Sequence, residues 1–328
     1  MALQTRPSVF AAIDVGTNAA RLELARLGTE GTLERFHQER DPIRPGEGVF
    51  SQGLMSREAV ERLVSTLRRY AALCERYDAQ VRAVATSALR DSRNQAAVLQ
   101  RVLAETGLNL EVVSGQEEAR LICLGVLHRT SHARSLLLDI GGGSTEIIIA
   151  TGERPEGLWS LPLGAVRLTQ LFGTSEKVTP QRLALLRGYI QEQLRKALPA
   201  HLPTLPRDAL GSSGTIKAVV GFAAGVACAP ASLERLTHAV ESLVRLTPEQ
   251  RRERFEPGRA DIIVAGAVLL EQVVRYLGVE SISVANRGLR DGLLVELAHR
   301  RDEPPARAHG LPALYASDTR SWTEAITG

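Results

Sequence analysis

Two stretches of this chain carry the same alternation of apolar and polar positions. Val9 to Leu24 (VFAAIDVGTNAARLEL) and Leu136 to Ala150 (LLLDIGGGSTEIIIA) each run as an apolar strand, then Asp-x-Gly, then a small polar turn, then a second apolar strand. Each predicts a β-hairpin whose turn sets a carboxylate beside exposed backbone N–H groups. The two aspartates, Asp14 and Asp139, stand 125 positions apart, near the size of one small lobe, so the repeat predicts duplicated lobes facing each other across a cleft.

Between and after the hairpins, strands alternate with helices, as an α/β layer requires. After Ser56, the residues Val60, Leu63, Val64, Leu67, Ala71 and Cys74 recur at helical spacing and predict a packing helix. Val81 to Ala85 predicts a strand leading into a turn from Thr86 to Asn94, followed by a helix to Glu105 stopped by Gly107. Leu110 to Val113 predicts a strand, and a helix beginning near Gln116 is expected to bridge the lobes. Thr179-Pro180 marks the start of a helix to Leu198; Thr247-Pro248 with Gln250 marks another with a capping box. Ile282 to Val284 predicts a strand, followed by a loop from Ala285 to Arg290 and a helix to His299. From residue 301 periodicity fades and Pro and Gly accumulate, so 301–328 reads as a tail, packed through Leu311, Leu314 and Trp322. The expected division is residues 1–127, 128–300 and the tail.

Length and composition narrow the class. The 328 residues suffice for two lobes, and 44% hydrophobic against 23% charged residues argues for folding throughout. Cys74, Cys123 and Cys228 are odd in number and have no His at ligand spacing, which argues against a disulfide framework or a zinc site. No apolar run reaches membrane-spanning length and the first residues lack a signal-peptide pattern, so a cytoplasmic protein is expected. Of the 40 basic residues only Lys177, Lys196 and Lys217 are lysines, leaving 37 arginines; guanidinium groups suit a polyanionic ligand, although genome composition accounts for most of them.

The candidate chemistry collects at the turns. In Asp139-Ile-Gly141-Gly142-Gly143-Ser144-Thr145-Glu146, three glycines leave consecutive N–H groups open to phosphate oxygens, and Asp139 and Glu146 offer hard oxygen ligands to Mg2+. Asp14-Val-Gly16-Thr17-Asn18 repeats the arrangement, with Arg21 on the next strand. Thr86, Arg90 and Arg93 follow a strand end, where α/β ligand crevices open; phosphate binding and a salt bridge to Asp91 are equally compatible with them. In Ser114-Gly-Gln-Glu117-Glu118 two acids start a helix, and spacing alone does not separate water activation from complementing the helix dipole. Gly211-Ser-Ser-Gly-Thr215 resembles an anion-binding helix N-terminus. Neither a P-loop nor a G-x-S-x-G elbow is present.

These residues, taken in order as AIDVGTNAARL, AVATSALRDSRN, VVSGQEEARLICLGV, LLDIGGGSTEI, LPLGAVRLT, GSSGTI, RADIIVAGAVLLE and ANRGLRDGLL, resemble the exopolyphosphatase and guanosine pentaphosphate phosphatase (Ppx-GppA) family from about Ala11 to Leu294. The resemblance implies an α/β protein of two ribonuclease-H-like lobes with an interlobe cleft, within the actin, sugar kinase and chaperone ATPase superfamily. It implies a hydrolase of phosphoric anhydrides dependent on Mg2+, acting on inorganic polyphosphate or on the 5′ γ-phosphate of the alarmone pppGpp. It puts the general base on Glu117, the metal-associated carboxylates on Asp139 and Glu146, and phosphate contacts on Gly16, Thr17, Asn18, Arg21 and the Gly141–Thr145 turn, with Arg90 and Arg93 assisting. Arg259 and Arg290 become candidates for the chain-end or nucleotide contact. Where the family's first turn reads D-x-G-S-N-S, this one ends on Ala19, which removes one hydroxyl. Longer members carry a further helical C-terminal domain, so the chain is expected to be the short form. A homodimer follows from the same analogy.

The reading that results is an exopolyphosphatase, with neither a membrane nor a specific nucleic acid as partner. The alternatives are a pppGpp phosphatase, a kinase relative sharing the lobes, and a non-catalytic sensor binding guanosine tetraphosphate.

Overall fold

A computed structural model describes residues 9–28, 32–130, 133–202, 204–225 and 229–300; Cys228 and the tail residues Leu311, Leu314 and Trp322 lie outside the described residues. The chain opens on the predicted hairpin, β1 (Val9–Val15) and β2 (Ala20–Leu27), followed by β3 (Leu33–Asp41). A short α1 (Val49–Gln52) precedes α2 (Arg57–Arg76), which begins where Ser56 accepts a hydrogen bond from the amide of Ala59. Then come β4 (Ala79–Ala85), α3 (Ser87–Arg90), α4 (Gln95–Thr106), β5 (Leu110–Val112) and α5 (Gly115–Leu127). Helix α4 ends at Gly107, which takes the left-handed conformation at φ 70°, as its sequence position predicts.

The second hairpin is β6 (Arg134–Ile140) and β7 (Thr145–Thr151), followed by β8 (Arg154–Leu161), α6 (Ala165–Phe172), α7 (Pro180–Ala197), β9 (Asp208–Gly211) and α8 (Gly214–Ala224). The chain then runs through β10 (Ala231–Ser232), α9 (Leu233–Arg245), α10 (Pro248–Arg254), α11 (Pro257–Ala260), α12 (Ile263–Leu277), β11 (Ser281–Val284) and α13 (Leu289–Arg300). The capping box foreseen at Thr247 and Gln250 is present in full.

The two sheets have one plan. The first runs β3-β2-β1-β4-β5 and the second β10-β11-β9-β6-β7-β8. In each, three antiparallel strands are extended by two parallel ones, β1 pairing parallel with β4 as β6 does with β9, and the second sheet adds the antiparallel edge strand β10. The repeat reaches finer detail, because the register shifts at Leu24/Ala25 in β2 and at Ile149/Ala150 in β7, each ten residues past the hairpin aspartate. These are two ribonuclease-H-like lobes.

Helix α5 joins them. Its Leu121 packs with Phe10, Ala12 and Val84 of the first sheet, whereas Ile122 and Val126 pack with Leu137 and Ile148 of the second. Helix α13, expected to close the second lobe, instead lies against β1 and β4 of the first, with Leu293 and Leu294 in that lobe's core. The lobe boundary in space therefore departs from the division at residues 127 and 128. The α5–α13 contact needs two glycines: a Cβ on Gly125 would fall 2.1 Å from the carbonyl of Gly288, and one on Gly292 would fall 2.0 Å from that of Leu121.

Candidate active site between the two hairpin turns

The hairpin turns meet. Both close alike, through Gly16 N–H to the carbonyl of Ala19 at 3.0 Å and Gly141 N–H to that of Ser144 at 2.9 Å. A Cβ on Gly142 would lie 2.7 Å from the Cβ of Thr17, so one turn rests on the other. None of Gly141, Gly142 and Gly143 has a positive φ, so backbone handedness does not call for glycine there; at Gly142 and Gly143 close approach does. Asn18 secures the first turn to the other lobe by donating to the carbonyl of Gly258 at 3.3 Å.

The turns enclose a cavity of about 270 Å3 into which Asp14, Arg21, Glu118, Asp139 and Arg259 face. Strand pairing fixes two of these relationships, setting Asp14 opposite Arg21 and Asp139 opposite Glu146. A Cys, Met or Ile at these buried positions would add to the core; carboxylates there cost desolvation instead. Burial pushes the Asp139 carboxyl up to about 6, with the Ser212 hydroxyl that donates to it opposing the rise. Burial likewise lifts Glu118 to about 7, against the pull of Arg90, whose guanidinium donates to it at 3.1 Å. Glu146 is fully buried, held by a 2.8 Å hydrogen bond from Ser160, and driven well above the usual range by burial and by Glu118 and Asp139.

Arginines line the same cavity. Burial, then the neighbouring charges of Arg21 and Arg40, bring Arg259 down to about 10, and its Nη1 donates to Thr215 at 2.9 Å. Burial also lowers Arg21, which stands 3.4 Å from Asp14. Arg290 is held by buried Glu23 at 3.1 Å and stands 3.8 Å from Asp14. Arginines with lowered pKa and acids with raised pKa, burial being the first cause in both, mark a cavity whose charges are poorly balanced and so a candidate functional site.

A divalent cation fits that imbalance. Glu146 Oε2 is buried without a hydrogen-bond partner, and Asp139 is destabilised by the like charge of Asp14 after its own burial. Among the described residues no three His, Cys, Asp or Glu side chains converge as a ready-made cage. An ion here would take one or two carboxylates and complete its shell with water and phosphate oxygens, the habit of Mg2+.

Five of the expected residues do not line the cavity: Glu117, Arg93, Arg90, Thr145 and Glu146, the last fully buried behind the second turn. Glu117 does not face the cleft: it is bound by Arg120 at 2.7 Å and approached by Arg82 at 3.4 Å on the far side of α5. It is the next residue, Glu118, that lines the cavity. Arg93 donates to the carbonyl of Gln52 at 3.0 Å, at the surface and away from the cavity. Arg90 reaches the site only through Glu118. Buried Thr145 holds the turn from behind, donating to the carbonyl of Leu163 at 2.6 Å, while Gly16, Thr17, Asn18, Gly141, Gly142, Gly143 and Ser144 all line the cavity. In the Gly211–Thr215 segment Ser213 caps α8, and Ser212, Gly214 and Thr215 face the cavity. Lys217 and the loop residues Asn286, Arg287 and Gly288 also line it. Sequence reading passed over them, although that loop follows β11 and ligand crevices open at strand ends.

Comparison with known proteins gives the site a context. The chain is 34% identical over 313 residues to exopolyphosphatase 2 of Mycobacterium tuberculosis, covering 88% of this chain and 98% of that one. It is 32% identical over 324 residues to exopolyphosphatase 1 of Mycobacterium leprae, covering 94% of each. Among solved structures, an exopolyphosphatase from Cytophaga hutchinsonii superposes with a TM-score of 0.79 at 26% identity, covering 89% of this chain and 98% of the other. An exopolyphosphatase-like protein superposes with a TM-score of 0.84 at 27% identity, covering 90% and 99%. The model of the Ppx/GppA phosphatase family matches residues 27–301. With the motifs, the duplicated lobes and the relatives in agreement, the chain belongs to the Ppx/GppA phosphatase family.

Proposed function

We propose that the chain is an exopolyphosphatase, releasing orthophosphate from the end of inorganic polyphosphate by attack of water. The observation that carries this reading is the contact of the two hairpin turns over a cavity lined by Glu118, Asp139, Arg21 and Arg259. A terminal phosphoryl group matches its chemistry, since turn amides, arginines and the start of α8 all favour phosphate oxygens.

In this mechanism the turns and α8 hold the terminal phosphate and fix its direction. Glu118, buried and raised toward neutrality, accepts a proton from the attacking water; Arg90 holds its carboxylate in place. Glu117 is removed from that role by its engagement with Arg120 and Arg82. Asp139 and Glu146 would hold a Mg2+ ion, which when bound supplies charge neutralisation to the phosphate oxygens. Arg21 and Arg259 hold the phosphates that follow, and the catalytic gain lies in position and preorganised charge. The same reading takes the protein as cytoplasmic and homodimeric, with neither a membrane nor a specific nucleic acid as partner.

A second substrate, pppGpp, ends in the same phosphoanhydride and would meet the same turns; the loop from Asn286 to Arg290 at the cavity edge offers donors for a nucleotide. Orthophosphate release from polyphosphates of graded length, from triphosphate and from pppGpp, with Mg2+ and with chelator, separates them. Polyphosphate turnover that stops in chelator is expected. Turnover of pppGpp alone would transfer the assignment to the alarmone, and guanosine tetraphosphate binding without any release would make the protein a sensor.

A further inference from the structure

A second cavity, of about 430 Å3, adjoins the first through the shared wall residue Ser144. Three of its residues reach the reactive groups. Arg90 lines the second cavity and donates to Glu118, which lines the first. Ser160 lines it and donates to buried Glu146. Arg167 lines it while its Nε donates at 2.8 Å to the carbonyl of Gly143, the last glycine of the second turn, and its guanidinium stacks 4.0 Å from the Phe50 ring. Residues Ser114, Gly115 and Gln116, at the start of the thirteen-residue helix α5, form another side. Ser144 and the Arg90–Glu118 pair thus form a partition between the two openings.

We propose, on the basis of the exopolyphosphatase reading, that this second cavity is an orthophosphate site through which the released phosphate leaves while the shortened chain still fills the first opening. A chain held by its end has its terminal phosphate innermost, so the product is formed against the partition with its own substrate blocking the way back. Against the one carboxylate that lines it, Asp91, the second cavity sets two guanidinium groups, serine hydroxyls and the amide end of a helix, a set that suits a small tetrahedral anion. In the resting protein each guanidinium has an acid partner, Glu118 for Arg90 and Asp91 for Arg167. During turnover the proton lost by the attacking water passes to Glu118, the new P–O bond makes orthophosphate, and the bond to the next phosphate breaks. Arg90 then faces a neutral carboxyl on one side and a phosphate anion on the other.

One exposed rim position outside the proposed machinery, Ala197, allows the outlet to be narrowed by Ala197→Phe and, separately, Ala197→Trp. Rapid-quench measurement of the first cleavage, run beside a fluorescent phosphate sensor, reads chemistry and release independently. The first turnover should keep its wild-type rate, while release from long polyphosphate slows by at least about fivefold and release from triphosphate, whose pyrophosphate product vacates the first opening, slows far less. Release that keeps pace with cleavage in both variants, or equal slowing on the two substrates, would overturn the outlet. The wild-type protein gives a second reading: orthophosphate should inhibit long-polyphosphate turnover without competing for the chain site, and purely competitive inhibition would also overturn it. Wild-type protein that cleaves neither substrate would bring down the exopolyphosphatase reading and this route with it.

Discussion

Thr17 and Gly142 touch across the cleft, so closely that the Cβ which Gly142 lacks would sit 2.7 Å from the Thr17 Cβ. One residue comes from the first hairpin turn and the other from the second. Because the neighbour is a branched Cβ rather than the far end of a flexible chain, relief requires the turns to separate. Gly142→Ala should therefore lower turnover on the order of 100-fold, the scale associated with a misplacement of about 1 Å at a reacting centre. Steady-state orthophosphate release, with circular dichroism to verify folding, checks this; near-normal turnover would show that the turns need not meet for catalysis.

The neighbouring acids Glu117 and Glu118 should separate sharply. Glu118→Gln is expected to cost about 10²- to 10⁴-fold in turnover, the range for loss of a general base. Glu117→Gln should leave turnover nearly unchanged, since it loosens partly exposed pairs with Arg120 and Arg82 outside the cavity. Single-turnover rates on one polyphosphate length decide, and a reversed order would return the base to Glu117.

The pH profile follows from the same carboxylate. A base that must be ionised, in a setting that lifts it to about 7, gives activity that rises with pH through the neutral range. A bound cation displaces that limb toward lower pH. The acid limb of kcat/KM should vanish in Glu118→Gln, with only residual activity left.

Stability should move the opposite way. Glu118, Asp139 and Glu146 all hold protons more tightly in the folded chain than in the unfolded one. From the ordinary carboxylate range up to about 7 the native state therefore binds more protons, and the contribution of these groups to stability falls as pH rises. Metal-free Glu118→Gln should gain in Tm relative to wild type at pH 8 and not at pH 5. Mg2+ should raise the wild-type Tm at pH 8, and Asp139→Asn should abolish that gain. Thermal melts with chelator or Mg2+ test both statements.

Leu121, fully buried where α5 packs on the first sheet, gives a prediction about the joint between lobes. Leu121→Ala should cost about 2 to 5 kcal/mol of unfolding free energy, because little can collapse into the space beside Phe10 and Leu293. Urea unfolding measures it.

The sequence by itself determined the hairpin repeat, the limits of several helices and the pool of reactive residues. Those features are local: Asp-x-Gly turns, Ser and Thr caps and apolar periodicity act through neighbours in the chain, and the strand pairings Asp14–Arg21 and Asp139–Glu146 follow from hairpin register. Only the tertiary structure decided which acid at the start of α5 enters the cleft. Successive helical residues point about 100° apart, and α5 is clamped in rotation by Leu121 on one sheet and Ile122 on the other, which sends Glu118 inward and Glu117 toward Arg120. The same holds for Arg90 against Arg93, and for α13, whose return to the first lobe rests on contacts with Phe10, Val84 and Leu121 that lie far from it along the chain. Spacing along a chain states which residues are available; the packing of distant apolar faces fixes the direction in which each one points.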